Sequence, residues 1–129
     1  MADKTDTDED AISFARVAFG SVSALELLIL LRRGRQRSYR IDELVRELRS
    51  SELAVTRALD HLMKFDLVEE RPGSSYLYQQ GSARLDSICE RVESVYVRKP
   101  VALVRAMLEA PDEKLRVFAD AFRISGRNK

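Results

Sequence analysis

Cysteine is nearly missing from this sequence: Cys89 stands alone among 129 residues. A lone thiol excludes an intrachain disulfide and fits a reducing compartment. Histidine is as scarce, with His61 the only one, and a metal site needs more ligands than one imidazole supplies. Glycine-rich phosphate loops, paired catalytic carboxylates in a recognisable motif, and Ser/His/Asp or Cys/His signatures are all lacking, so no enzyme, cofactor or metal is expected. The longest apolar run, Ala24 to Leu31 broken by Glu26, is far too short to span a membrane. The start of the chain is acidic, where a secretion signal would be basic and then apolar. A cytoplasmic protein without a membrane partner is the expectation.

What is present suffices for one well-formed core, since 45% of the residues are hydrophobic. The formal net charge is only +1, which by itself gives no electrostatic case for nucleic acid. Its distribution says more. From Arg32 to Arg57 eight arginines stand against four acids, a local excess of +4, whereas Met1 to Asp10 holds five acids and one lysine.

Three regions follow. Residues 1–10 are charged and almost without apolar side chains, and are expected to be disordered. Residues 11–80 hold a core unit, and residues 81–125 a helical extension. In the core unit, Ala11 to Phe19 has a partly periodic pattern that suggests a short helix. Ser23-Ala24-Leu25-Glu26 has capping-box form, and Gly34 can end the helix that follows. That helix is apolar nearly all round, so it must be covered on more than one face. The cover can come from the C-terminal third, where Leu85, Ile88, Cys89, Val92, Val95 and Tyr96 form a stripe at spacings of three and four. Pro100 and Pro111 each stand where a new helix would begin. The tail from Ser125 to Lys129 is expected to fray.

Between Tyr39 and Tyr78 the pattern is sharper. Ile41, Leu44, Val45 and Leu48 share one face of a helix over 41–48. Arg49-Ser50-Ser51 interrupts it, and either serine can cap a second helix, read over 51–65, whose buried face carries Val55, Leu59, Leu62 and Met63. Residues 67–71 and 76–79 then read as two strands around the turn Pro72-Gly73-Ser74-Ser75. The fold class is mainly α with a two- or three-stranded β wing.

Here the chain resembles the winged helix-turn-helix regulators, MarR-like and related bacterial repressors. Ser51, Val55-Thr56-Arg57-Ala58-Leu59-Asp60, Leu62 and Leu67-Val68 match their second helix and its approach to the wing. Asp66 stands where that family commonly has glycine, and aspartate tolerates a left-handed backbone better than most residues. The resemblance covers roughly a third of the chain. It implies sequence-specific binding of double-stranded DNA, with helix 51–65 in the major groove, by a homodimer acting as a transcriptional regulator.

A helical projection sets Leu53, Arg57, Asp60 and Lys64 opposite Val55, with Thr56 and His61 on the flanks and Ser51 at the cap. Arg57 is the best base reader, because a guanidinium can donate two hydrogen bonds to a guanine edge; Thr56 and Leu53 suit a phosphate or a thymine methyl. Arg32, Arg33, Arg35, Arg37 and Arg40 are candidates for phosphate contact, and Arg71 for contact from the wing tip. The wing is otherwise poor in cations, since Glu69 and Glu70 precede it. Tyr76 and Tyr78 share one strand face and are expected in the core, and Cys89 is expected as a buried, inert thiol. The C-terminal helices from Ser82 onward either pair two copies or only cover the apolar helix. The near-neutral charge, acidic start and weak wing also suit a second reading, a winged-helix module that binds a protein of the transcription machinery or another regulator.

Overall fold

The computed structural model describes residues 7–79 and 81–127, with side chains through Phe122. Its elements run α1 (Asp8–Ala18), α2 (Val22–Arg33), β1 (Tyr39–Arg40), α3 (Ile41–Leu48), α4 (Glu52–Lys64), β2 (Val68–Arg71), β3 (Ser75–Tyr78), α5 (Ala83–Arg98), α6 (Pro100–Met107) and α7 (Glu113–Arg127). The architecture is mainly helical with one small antiparallel sheet in the order β1-β3-β2. Among the described residues no single helix is long and apolar enough to cross a membrane.

The first helix starts earlier than composition suggests. Thr7 Oγ1 accepts the Asp10 N–H at 3.1 Å and the Asp10 carboxylate accepts the Thr7 N–H at 3.0 Å, a reciprocal cap that brings Asp8, Glu9 and Asp10 into α1. The expectation of disorder over 1–10 therefore fails for 8–10, and Met1 to Asp6 lie outside the described residues. Asp8 is also held from α5, by Arg91 Nε at 3.1 Å and Arg98 Nη2 at 2.9 Å, with Lys99 Nζ at 3.1 Å. The cap of α2 is Ser21, not Ser23: its hydroxyl accepts the Ala24 N–H at 3.1 Å. The turn before it runs through Gly20 at φ +74°, where a Cβ would meet the His61 ring at 2.8 Å.

The placement of the C-terminal helices differs from the simple expectation. α5, α6 and α7 close chiefly around α1, while α2 packs on α4, α3 and β3. The reason lies in α1 itself. Ala11, Ala15 and Ala18 are fully buried with Phe14 between them, so small side chains let neighbouring helices approach closely around one large ring. α7 continues to Arg127, through part of the tail expected to fray.

β1 supplies the third strand. Tyr39 pairs with Tyr76, and Val68 with Tyr78, so the aromatic face of β3 turns onto the core between its two neighbours. Tyr76 and Tyr78 are buried as expected, and Asp66 adopts φ +61°, the left-handed conformation its position requires.

Candidate nucleic-acid interface

α3 and α4 form a short helical pair joined by Arg49, Ser50 and Ser51. Arg49 is left-handed at φ +52°, and the Ser50 N–H donates to the Val45 carbonyl at 3.0 Å, which ends α3. Ser51 then caps α4, its hydroxyl accepting the Ala54 N–H at 3.1 Å. Val55, Ala58, Leu59 and Leu62 bury the inner face. The outer face carries Leu53, Arg57, Asp60 and Lys64, all exposed, with Leu53 60% exposed despite its apolar chain.

Of the remaining α4 candidates, Thr56 is half-buried on the flank and His61 does not join the outer face. The His61 Nε2 lies 3.2 Å from the Val17 carbonyl, which assigns it the proton, and the ring fills the space above Gly20. It links α4 to the α1–α2 corner.

The arginines before α3 divide by what they touch. Arg32 is not a surface cation: it is 8% exposed, and its Nη1 donates to the Tyr78 hydroxyl at 2.8 Å and to Asp86 Oδ1 at 2.6 Å. Its Nε lies 3.2 Å from Glu93 Oε2 as an ion pair without hydrogen-bond alignment. Arg35 Nη2 reaches the same Asp86 oxygen at 2.9 Å. Burial works to raise the Asp86 carboxyl, but hydrogen bonds from Tyr78 and Arg32 and the charges of Arg32 and Arg35 outweigh it, so it sits below the ordinary carboxylate range. Arg37 pairs with Glu43 at 2.8 Å and lies over the Tyr39 ring, with 4.2 Å from its guanidinium carbon to the centroid. Arg40 pairs with Asp42 at 3.3 Å and Arg71 stands 4.0 Å from Glu69. Arg35, Arg37, Arg40 and Arg71 are therefore all at the surface and all accompanied by a carboxylate, which reduces their field at an approaching anion.

The unpaired cations lie elsewhere. Arg57 on α4, Arg46 on α3, Arg49 in the turn and Arg33 at the end of α2 are exposed and make no ion pair among the described residues. Arg46 and Arg49 are the two that sequence reasoning did not single out. The available signal was geometric: Asp42, one turn before Arg46 on α3, is taken by Arg40 instead.

The hairpin beside α4 is acidic. Glu69 and Glu70 are exposed, and the charges of Glu70 and Asp60 add to burial in raising the Tyr76 phenol, which puts both carboxylates near the junction of the hairpin and α4. No group of three or more His, Cys, Asp or Glu side chains suited to a metal ion occurs among the described residues. Comparison of the chain with protein families, with curated proteins and with solved structures finds no match.

Proposed function

We propose that this chain is a winged helix-turn-helix transcriptional regulator that binds double-stranded DNA with α4 in the major groove, the β2–β3 hairpin serving as its wing. The observation that carries the reading is Arg57, an exposed guanidinium without a carboxylate partner among the described residues, midway along the outer face of a capped second helix of the pair. Leu53 one turn earlier presents a methyl-rich surface suited to a thymine methyl, and Arg46, Arg49 and Arg33 are free to meet phosphates. Two copies acting on a symmetric site in the cytoplasm complete the proposal.

A second reading, a winged-helix module for a protein partner, has its own support. Residues 39–79 hold eight acids (42, 43, 47, 52, 60, 66, 69, 70) against six lysines and arginines (40, 46, 49, 57, 64, 71), so this unit is acidic overall. A phosphate backbone is repelled by such a unit unless the free arginines dominate locally.

Binding titrations separate the two. With a duplex selected from random sequence and a scrambled control, Arg57→Ala is expected to cost about 1–3 kcal/mol on the selected site and much less on the control. Arg46→Ala and Arg49→Ala are expected to weaken both duplexes equally and to flatten the salt dependence by about one contact each. Arg35→Ala and Arg37→Ala have the same expected pattern with a smaller effect, because their carboxylate partners must first be released. No binding to any duplex at low salt would give first place to the protein-partner reading.

A further inference from the structure

Where the α1–α2 corner, α4 and the connection between α6 and α7 meet, they leave a cavity of about 340 Å³, at the small end of the range for ligand sites. Part of its lining is aliphatic: Val17, Met107, Leu108 and Pro111, with Leu108 79% exposed at the outer edge. The His61 ring, held by the Val17 carbonyl, adds a further wall beside Gly20. Among the described residues no phenylalanine or tyrosine lines this space. The charged lining is mostly cationic, Arg16 from α1 and Arg116 from α7 against the single carboxylate of Glu109. Arg16 Nη2 donates to the Ala110 carbonyl at 3.2 Å and lies 3.6 Å from Glu109 Oε1, while its Nε is buried without an acceptor. Arg116 is exposed and makes no ion pair among the described residues. Donors therefore outnumber acceptors here, and the one carboxylate is loosely held, with 68% of its side chain exposed.

We propose that this cavity binds a small aliphatic carboxylic acid as its anion, with the carboxylate between Arg16 and Arg116 and the hydrocarbon chain along Val17, Met107 and Leu108. The two kinds of lining select that class together. Guanidinium groups hold a carboxylate by charge-assisted, often bidentate hydrogen bonds. The aliphatic wall rewards each methylene it takes from water and offers nothing to a phosphate. A flat aromatic acid finds no ring to stack on. Glu109 competes for Arg16, and its exposed side chain swings into water when the ligand carboxylate arrives. The site lies apart from the outer face of α4 and stands whether or not the chain binds DNA.

Isothermal titration calorimetry of the full chain with octanoate tests the site, with 1-octanol, acetate and inorganic phosphate as probes that each lack part of the chemistry. Saturable one-to-one binding of octanoate is expected, about tenfold or more tighter than any of the other three. Arg116→Ala should weaken it about tenfold, the loss of a charge-assisted contact, and Leu108→Ser several-fold. Both side chains are exposed, so the circular dichroism of these variants should match the parent. Glu109→Gln should tighten octanoate binding several-fold by removing the competing carboxylate, a gain that damage to the fold does not mimic. Absence of saturable octanoate binding would overturn the proposal, as would octanol binding equally well. Acetate or phosphate bound as tightly as octanoate would make this a plain anion site and overturn the aliphatic class. An affinity indifferent to both Arg116→Ala and Glu109→Gln would place the ligand elsewhere and overturn the site.

Discussion

At the scale of single residues, Asp86 joins three donors beside the sheet. One of its oxygens accepts from Tyr78, Arg32 and Arg35, which lie on β3, on α2 and just after α2, while Asp86 itself stands in the first turn of α5. Cys89, one turn further on, is fully buried and its thiol is pushed up to about 12 by burial, against the opposing charge of Arg32, so it lacks the thiolate character of a redox sensor. Removing the Asp86 charge leaves Arg32 buried with only Glu93 to balance it. Asp86→Asn is therefore expected to destabilise the fold by about 1–3 kcal/mol in urea unfolding at neutral pH. The pH dependence has a definite sign. A carboxyl that titrates lower in the folded chain than in the unfolded one stabilises fully above about pH 5, and that stabilisation is lost as the pH falls through the folded value. The parent should thus lose more stability than the variant between neutral pH and the acid end. Equal losses would show that Asp86 gains nothing from its three donors.

At the scale of elements, legibility followed the size of the apolar side chains. Apart from exposed Leu53, α3 and α4 separate large apolar residues on one face from charged residues on the other, and their limits, cap and buried face are readable to within a residue. α1 was the least distinct helix in the sequence, yet it lies at the centre, because Ala11, Ala15 and Ala18 contribute close approach rather than bulk. β1 has only two residues, too few for an alternating pattern, and exists because Tyr39 and Arg40 meet the free edge of β3. Arg32 departs from the expected phosphate contact for a related reason: it continues a run of surface-like arginines, and only the fold brings Asp86 and Glu93 to it from more than fifty residues away. The role of alanine in α1 can be tested directly. Ala15→Leu adds bulk at a fully buried position and is expected to cost about 1–3 kcal/mol by overpacking, even though it raises the apolar content of the helix. Chemical denaturation would measure it, and a neutral or stabilising result would mean that α1 has room its neighbours do not fill.

At the scale of the whole molecule, the helical extension and the candidate DNA-reading unit share one core rather than abutting. Phe14 is the junction: its ring meets Phe19 at 6.0 Å, Phe65 at 6.0 Å and Phe122 at 5.1 Å between centroids. Phe65 caps α4 and Phe122 lies on α7, where Phe118 packs edge-on against it at 5.3 Å. The end of α4 is thereby tied to α7 through a single side chain of α1. Buried aromatic contacts of this kind, with Phe14, Phe19 and Phe122 fully buried, transmit the loss of one partner to the others, because the space left behind refills only in part. Phe14→Ala is expected to cost about 3–5 kcal/mol and to loosen α4 and α7 together. Phe122→Ala, changed on α7 alone, distinguishes a shared core from two neighbouring ones. In a shared core, native-state hydrogen exchange should speed up in α1, α5 and the last turn of α4 by comparable factors, since all of them open in one cooperative step. Faster exchange confined to α7 would instead make the C-terminal helix a separately opening unit, and α4 would then be held by α2 and α3 without help from the extension.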